Sequence, residues 1–250
     1  MSFAEGLMLF PGVIIRPRAT FQKLRDAERG YWWLVLVVAL ALTIVYSLIA
    51  QPYTQEMARR QVDAQFEELY GDLNDLSDME QQIYNQQVAM LDSPFLFVVQ
   101  LIAPIFLIPL GYLIMAAVLH LASAVLGGRA EFRQTFRMAV WTTVPSLIRT
   151  LIGILVVAIS GRLMAPGMTA GLGPNGATEQ TVLYAFLSGI DIFALWSLVL
   201  IAIGVAQTAQ ISAGKSVIVT AVWWVISLVP VGMTWIGQAL TSSMTGMAGT

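Results

Sequence analysis

Five long apolar runs alternate with polar segments along this chain. The runs lie at residues 31–50, 95–126, 136–160, 182–206 and 216–240. A hydrocarbon core about 30 Å thick needs roughly 20 apolar residues in a helical crossing. A helix also satisfies its own backbone hydrogen bonds, which lipid cannot do. The pattern therefore predicts an all-α polytopic membrane protein with five transmembrane helices.

The polar segments predict how these helices are connected and oriented. They comprise a leader (1–30), a helical acidic insertion (51–94), a basic loop (127–135), an outer loop (161–181), a short loop (207–215) and a flexible tail (241–250). Lys and Arg are concentrated in the leader, around the basic loop and in the short loop. By the positive-inside rule these segments are cytoplasmic, whereas the acidic insertion and the C-terminus are extracytoplasmic. The expected location is the cell inner (plasma) membrane, with multiple passes.

Composition supports lipid as the solvent for much of the chain. The sequence is 57% hydrophobic and 11% charged, whereas about 25% of residues in soluble domains are charged. The mean hydropathy is +0.74. A net charge of −2 provides no basic field for nucleic acid, and the absence of cysteine excludes disulfides and thiolate chemistry.

The leader combines basic residues with a short apolar face. Pro17 suits a first helical turn, and Phe21 and Leu24 are three residues apart. One interpretation is an amphipathic helix on the membrane surface. The other is a basic cluster that only sets topology.

The acidic insertion has nine acidic residues between Glu56 and Asp92, against two arginines. Apolar residues recur at steps of three and four, which predicts a helical apolar seam. The seam comprises Val62, Phe66, Leu69, Leu73, Leu76, Met79 and Ile83. A break near Gly71 and Asn74–Ser77 would give a helical hairpin. It is either a cap on its own domain or a docking surface for a partner helix.

Two ionisable residues lie inside apolar runs. Arg149 is in the third run and Asp191 is in the fourth, at similar helical distances from the same side. A charge in hydrocarbon costs roughly 2.5–3.5 kcal/mol, so we expect the two side chains to form an intramembrane ion pair. The pair either fixes helix register or serves as a coupling-ion or substrate site.

The remaining candidate residues do not form a catalytic site. His120 is the only histidine, and it is either a proton relay or, more simply, an intramembrane polar contact. Catalytic zinc needs three protein ligands, so neither a metal nor another cofactor is expected. Arg129, Arg133 and Arg137 are predicted to be a cytoplasmic docking group.

Three stretches resemble the Yip (Ypt-interacting protein) domain family of prokaryotic five-span membrane proteins. The sequence R-P-R-A-T-F at Arg16–Phe21 is similar to the family leader, and Gly127–Pro145 resembles the entry to its third span. Asp191–Trp196, followed by Gly204, Ser212 and Lys215, resembles its fourth span and loop. The acidic insertion departs from the family pattern.

The resemblance implies a helical membrane protein without known catalysis. Eukaryotic relatives act in vesicle traffic with small GTPases, and bacterial relatives look like accessory subunits of membrane machines such as ABC-type exporters. We therefore expect a non-enzymatic scaffold or accessory subunit of a membrane transport or trafficking complex, with protein partners. The alternative is a small transporter or channel that uses the Arg149–Asp191 pair, with a substrate that the sequence does not specify.

Overall fold

A computed structural model describes residues 3–27, 30–163 and 191–229 of the chain. These residues form ten α-helices and one 3-10 turn at Leu73–Asp75, and no β-strand occurs among them. The helices are α1 (Phe3–Leu7), α2 (Leu9–Ile15), α3 (Pro17–Asp26), α4 (Trp32–Tyr70), α5 (Asp78–Leu91), α6 (Pro94–Val125), α7 (Phe132–Trp141), α8 (Val144–Ser160), α9 (Ile192–Ala209) and α10 (Ala213–Ser227).

Four segments of this described part are long and apolar enough to cross a membrane: Trp32–Tyr70, Pro94–Val125, Phe132–Ser160 and Ile192–Ala209. The all-helical membrane class predicted from the sequence is therefore confirmed. Helix α10 accounts for the first part of the predicted fifth run, and the rest of that run lies outside the described residues. Most of the outer loop, the start of the fourth run and the C-terminal tail also lie outside them.

The chain divides into two compact units. Unit 1 comprises Met1–Val37, Leu110–Arg149 and Ala165–Thr250, and unit 2 comprises Val38–Pro109 and Thr150–Met164. The leader, the basic loop and both members of the predicted ion pair belong to unit 1. The acidic insertion belongs to unit 2.

Helix α4 does not stop where the apolar run ends at Ala50. It continues through Pro52 to Tyr70, a length of 39 residues, or about 58 Å at 1.5 Å per residue. The residues after Pro52 are rich in Gln, Glu, Ala and Arg, which favour helix strongly enough to carry it onward. The predicted span at residues 31–50 and the first part of the predicted helical insertion therefore form one continuous helix.

The predicted third span is interrupted near its start. Helix α7 ends at Trp141 and α8 begins at Val144, because Pro145 has no N–H to donate to the preceding turn. The Thr142 and Thr143 hydroxyl groups each donate 2.7 Å hydrogen bonds, to the carbonyl oxygens of Ala139 and Val140. These bonds satisfy carbonyl groups at the C-terminus of α7, where helical partners run out.

Candidate functional site

The apolar face of the leader helix α3 is buried against protein. Phe21 is 0% exposed and Leu24 is 2% exposed. Helix α9 approaches closely at Gly204, where an added Cβ would lie 2.8 Å from Met138 Cγ and 3.4 Å from Phe21 Cζ. The amphipathic helix of the first interpretation is therefore present, but its apolar face packs in the core of unit 1 instead of being free to contact lipid.

One face of α7 holds the chain that follows α3. Arg137 Nη1 donates a 2.6 Å hydrogen bond to the carbonyl oxygen of Ala27. Trp141 Nε1 donates to Gly30 O at 2.9 Å, and Gln134 Nε2 donates to Arg25 O at 3.3 Å. The three donors lie at helical spacings of three and four, so they share one face. We call these three hydrogen bonds the clasp.

The clasp is chemically suited to its position. The carbonyl groups at the end of α3 have no helical partners, and a cation near a helix C-terminus also interacts favourably with the helix dipole. Arg137 is only 5% exposed. An added Cβ at Gly30 would lie 2.5 Å from Arg137 Cδ, so a larger residue there would displace the Arg137 side chain.

The predicted basic docking group is divided by this arrangement. Arg129 lies on the connection between α6 and α7 and Arg133 lies in the first turn of α7, and both are exposed, as a docking role requires. Arg137 is buried in the clasp, and its assignment to a docking surface was wrong. The sequence could not show this, because its carbonyl partner is 110 residues away.

The end of α9 is tied to the same assembly. Gln22 Nε2 donates to Gln207 Oε1 at 2.8 Å, and Arg25 Nη1 donates to Gln207 O at 3.3 Å. The backbone N–H of Arg129 donates to Ala209 O at 3.1 Å. Gln210 follows in the left-handed conformation, with φ of 56°. The leader and the basic loop therefore supply partners to the last carbonyl groups of α9.

Glycine explains the start of the basic loop. Gly127 has φ of +87°, and the N–H of Gly128 donates to Ser123 O at 2.8 Å. This geometry ends α6 with a left-handed residue that strongly favours glycine. Lys215 Nζ donates to the adjacent Leu126 O at 2.8 Å. Gly127, Gly128 and Lys215, which belong to the family resemblance, therefore all stabilise the C-terminus of α6.

The structure brings Arg149 and Asp191 together. Arg149 Nε lies 2.6 Å from Asp191 Oδ2, with side-chain exposures of 37% and 15%. At this distance the two opposite charges form an ion pair, although the N–H of Arg149 Nε is not aligned for a hydrogen bond. Both roles predicted for the pair, fixing helix register and binding a coupling ion or substrate, stay predictions.

Asp191 differs from its expected setting within a continuous helix. Its backbone is extended, with φ of −142° and ψ of 174°, and it is the N-cap of α9. Its Oδ1 accepts a 2.7 Å hydrogen bond from the N–H of Ala194. Aspartate is a favoured N-cap because its carboxylate accepts an N–H that has no helical partner. The two carboxylate oxygens therefore have separate roles, one in the cap and one in the ion pair.

His120 makes modest polar contacts. Its Nδ1 lies 3.5 Å from Thr135 Oγ1, and its ring meets the ring of Phe132 edge-on at 5.7 Å. No cluster of three metal-ligating side chains occurs among the described residues. These contacts join α6 to α7 and are consistent with the predicted polar contact between helices.

The acidic hairpin of unit 2 consists of residues 51–92. Helix α4 ends at Tyr70, Gly71 has φ of +86°, and α5 begins after Ser77. The Glu80 carboxylate accepts hydrogen bonds from the Ser77 backbone N–H at 2.7 Å and from Ser77 Oγ at 2.6 Å. These hydrogen bonds lower the pKa of Glu80. The break therefore falls where the sequence predicted it.

The two arms of the hairpin are held by a few contacts. Arg59 pairs with Asp92, and this hydrogen bond lowers the pKa of Asp92. Tyr84 Oη donates to Asp63 Oδ1 at 2.8 Å, and the Tyr84 ring meets Phe66 edge-on at 5.3 Å. Phe66 is 3% exposed. It is the only member of the predicted apolar seam that is fully buried.

The fold and these contacts define the class as a multi-pass helical membrane protein whose leader is packed into its core. The chain matches the model of the Yip1 domain over residues 12–234. It therefore belongs to the Yip1 domain family, and the resemblance seen in the sequence is confirmed. Comparisons with curated proteins and with solved structures found no match.

Proposed function

We propose that this protein is a non-catalytic scaffold or accessory subunit of a membrane transport or trafficking assembly, and that its acidic hairpin binds a protein partner. The observation that carries the proposal is the exposure of apolar seam residues. Met79 is 73% exposed, Leu69 is 51% exposed and Ile83 is 40% exposed. Exposed apolar side chains on an otherwise polar surface are typical of an interaction site.

The length of α4 supports a location outside the lipid for these residues. Tyr70 is 20 residues beyond Ala50, or about 30 Å along the helix. The apolar run itself already accounts for a hydrocarbon core about 30 Å thick. Lipid therefore does not explain why Leu69 and the residues of α5 leave apolar atoms uncovered.

The negative charge of the hairpin indicates that its partner is a basic segment. The hairpin has nine acidic residues and two arginines, and both arginines are already in ion pairs, with Asp92 and Glu56. A basic amphipathic helix would match the surface in both charge and apolar character. A second copy of the hairpin would bring like charges together.

The test is gentle extraction of the full-length protein followed by quantitative mass spectrometry of stoichiometric partners. The test variant is Glu67→Gln, Glu68→Gln and Asp75→Asn, which removes charge without removing a described contact. The matched control is Gln61→Ala with Gln65→Ala on the same helix. We expect a partner that the control retains and the test variant loses. Equal recovery in both variants, or a protein that is always alone, would contradict the proposal.

A small transporter or channel is the second candidate function. The observation that favours it is a cavity of about 520 Å³ in unit 1, lined by Ser146, Ala194 and Trp223 among others. Ala194 also donates its N–H to Asp191. Both Asp191 oxygens are already engaged, however, which favours a structural role. Ion flux into liposomes that disappears in Asp191→Asn would support transport, and no flux for any ion tested would exclude it.

A further inference from the structure

A groove of about 230 Å³ lies between α9 and α10 in unit 1. Its apolar lining includes Ile203, Ala206, Ile211 and Val217, and its polar lining includes Arg18 and Gln207. The groove therefore combines an aliphatic wall with a single cation.

The position of the groove along α9 matches a lipid more closely than a free solute. Helix α9 is a candidate membrane span, so lipid is the solvent for its exposed apolar side chains. Polar residues begin at Gln207 and continue with Gln210 and Ser212. This change marks the level at which hydrocarbon gives way to headgroups, so the groove runs across that boundary.

Arg18 is the cation of the leader that is placed to meet a headgroup. It is exposed, and no acidic side chain of the described residues forms an ion pair with it. The neighbouring cations Lys23 and Arg25 already pair, with Glu5 and Asp26. A guanidinium group binds phosphate oxygens with good geometry.

We infer that the groove is a binding site for an anionic phospholipid, with part of an acyl chain against Ile203 and Val217 and the phosphate on Arg18. The burial of α3 makes this possible, since a leader resting loosely on the membrane would not hold Arg18 at a fixed place beside α9. The inference concerns unit 1 alone and does not depend on the partner proposed for the hairpin.

Acyl-chain contacts alone give little preference, because the bilayer offers every lipid a similar apolar environment. Selectivity for an anionic headgroup therefore depends on Arg18. One exposed ion pair between Arg18 and a phosphate group is worth up to about fivefold in occupancy.

The experiment uses the full-length protein in detergent, titrated with phosphatidylglycerol or phosphatidylcholine and measured by native mass spectrometry. We expect one phosphatidylglycerol per chain to be retained in preference to phosphatidylcholine. Arg18→Gln should lower that preference by up to about fivefold. Arg16→Gln is the matched control, because Arg16 is also exposed in the leader but does not line the groove.

Two further measurements test whether the groove binds the acyl chain as well as the phosphate group. Ala206→Leu should reduce retention of both lipids by filling the groove, with Arg18 unchanged. Glycerol phosphate should not compete, because it has no acyl chain. Equal effects of Arg18→Gln and Arg16→Gln, equal retention of the two lipids, or full competition by glycerol phosphate would each overturn the assignment. Unchanged thermal unfolding of each variant would show that folding is intact.

Discussion

The two units differ in where their polar side chains find partners. In unit 1, Arg137 and Trp141 are buried and bind backbone carbonyl groups more than a hundred residues away. In the hairpin of unit 2, Ser77 and Glu80 are three residues apart and form hydrogen bonds with each other. Most other charged side chains of the hairpin are on the surface. Unit 1 is therefore organised by long-range contacts, whereas the hairpin is organised by local ones and leaves a surface available to a partner.

The largest expected effect comes from the ion pair of unit 1. A fully buried pair that loses one member costs about 3–5 kcal/mol. Arg149→Ala or Asp191→Ala alone should lower the free energy of unfolding by less, about 2–4 kcal/mol, because neither side chain is fully buried. Arg149 should fall at the low end, since 37% of its side chain is exposed. Reversible unfolding in micelles measures this, and silent single variants would show that the contact does not stabilise the fold.

Asp191→Asn separates the two roles of that residue. Asparagine keeps the N-cap on Ala194 but removes the charge, so this variant should be about 1 kcal/mol more stable than Asp191→Ala. Adding Arg149→Met to Asp191→Asn should recover much of the remaining loss, because no isolated charge is left. A double variant as unstable as the worse single one would exclude a structural ion pair.

The clasp should give the next largest effect. Arg137→Met removes a charged hydrogen bond to Ala27 O and should destabilise the protein by about 1.5–3 kcal/mol. It should also speed hydrogen exchange in residues 17–27. Arg133→Met is the control, because Arg133 is exposed and should change stability by less than about 0.5 kcal/mol. Similar losses for the two variants would contradict the division of the basic group.

A substitution at the close contact of α9, at Gly204, should have a smaller effect on stability. Gly204→Ala should cost about 1–3 kcal/mol, because the new methyl group would overlap the buried Met138 side chain. Gly111→Ala is the matched control within another helix, since its added Cβ meets nothing within 4 Å. If Gly204→Ala proved as harmless as Gly111→Ala, α9 would not pack against Met138 as described.

The smallest effect should be the pH response of the hairpin. Hydrogen bonds lower the pKa of Asp72, Glu80 and Asp92 in the folded chain. A lowered folded-state pKa adds stability above the unfolded-state pKa, near 4, and this stability is lost as pH falls through the folded value. Carboxyl ¹³C shifts of the full-length protein would follow the titration. Ser77→Ala should raise the pKa of Glu80, and no change would contradict the assigned cause.

Local patterns predicted the features that depend on local chemistry. The apolar runs indicated the helical class, Gly71 marked the hairpin break, and the opposite charges within two apolar runs predicted that Arg149 lies near Asp191. The family was recognisable because glycine and proline letters such as Gly127, Gly128 and Pro145 report backbone geometry. The five-span count and the membrane orientation stay predictions.

The features that the sequence missed depend on contacts between distant segments. An amphipathic helix with Phe21 and Leu24 on one face looks the same whether lipid or protein covers it. A basic residue after a loop, such as Arg137, is typical of an exposed cytoplasmic surface unless its distant acceptor is known. The N-cap at Asp191 did have a local signal, since aspartate is a favoured cap, but the surrounding apolar run obscured it.

Site-specific photo-crosslinking at Met79 in native membranes tests the docking function of the hairpin most directly. We predict one major protein adduct at Met79, lost in the Glu67→Gln, Glu68→Gln, Asp75→Asn variant and retained in the Gln61→Ala, Gln65→Ala control. Adducts only with lipid or with the same chain, or a protein adduct that persists after the acidic charges are removed, would contradict the account.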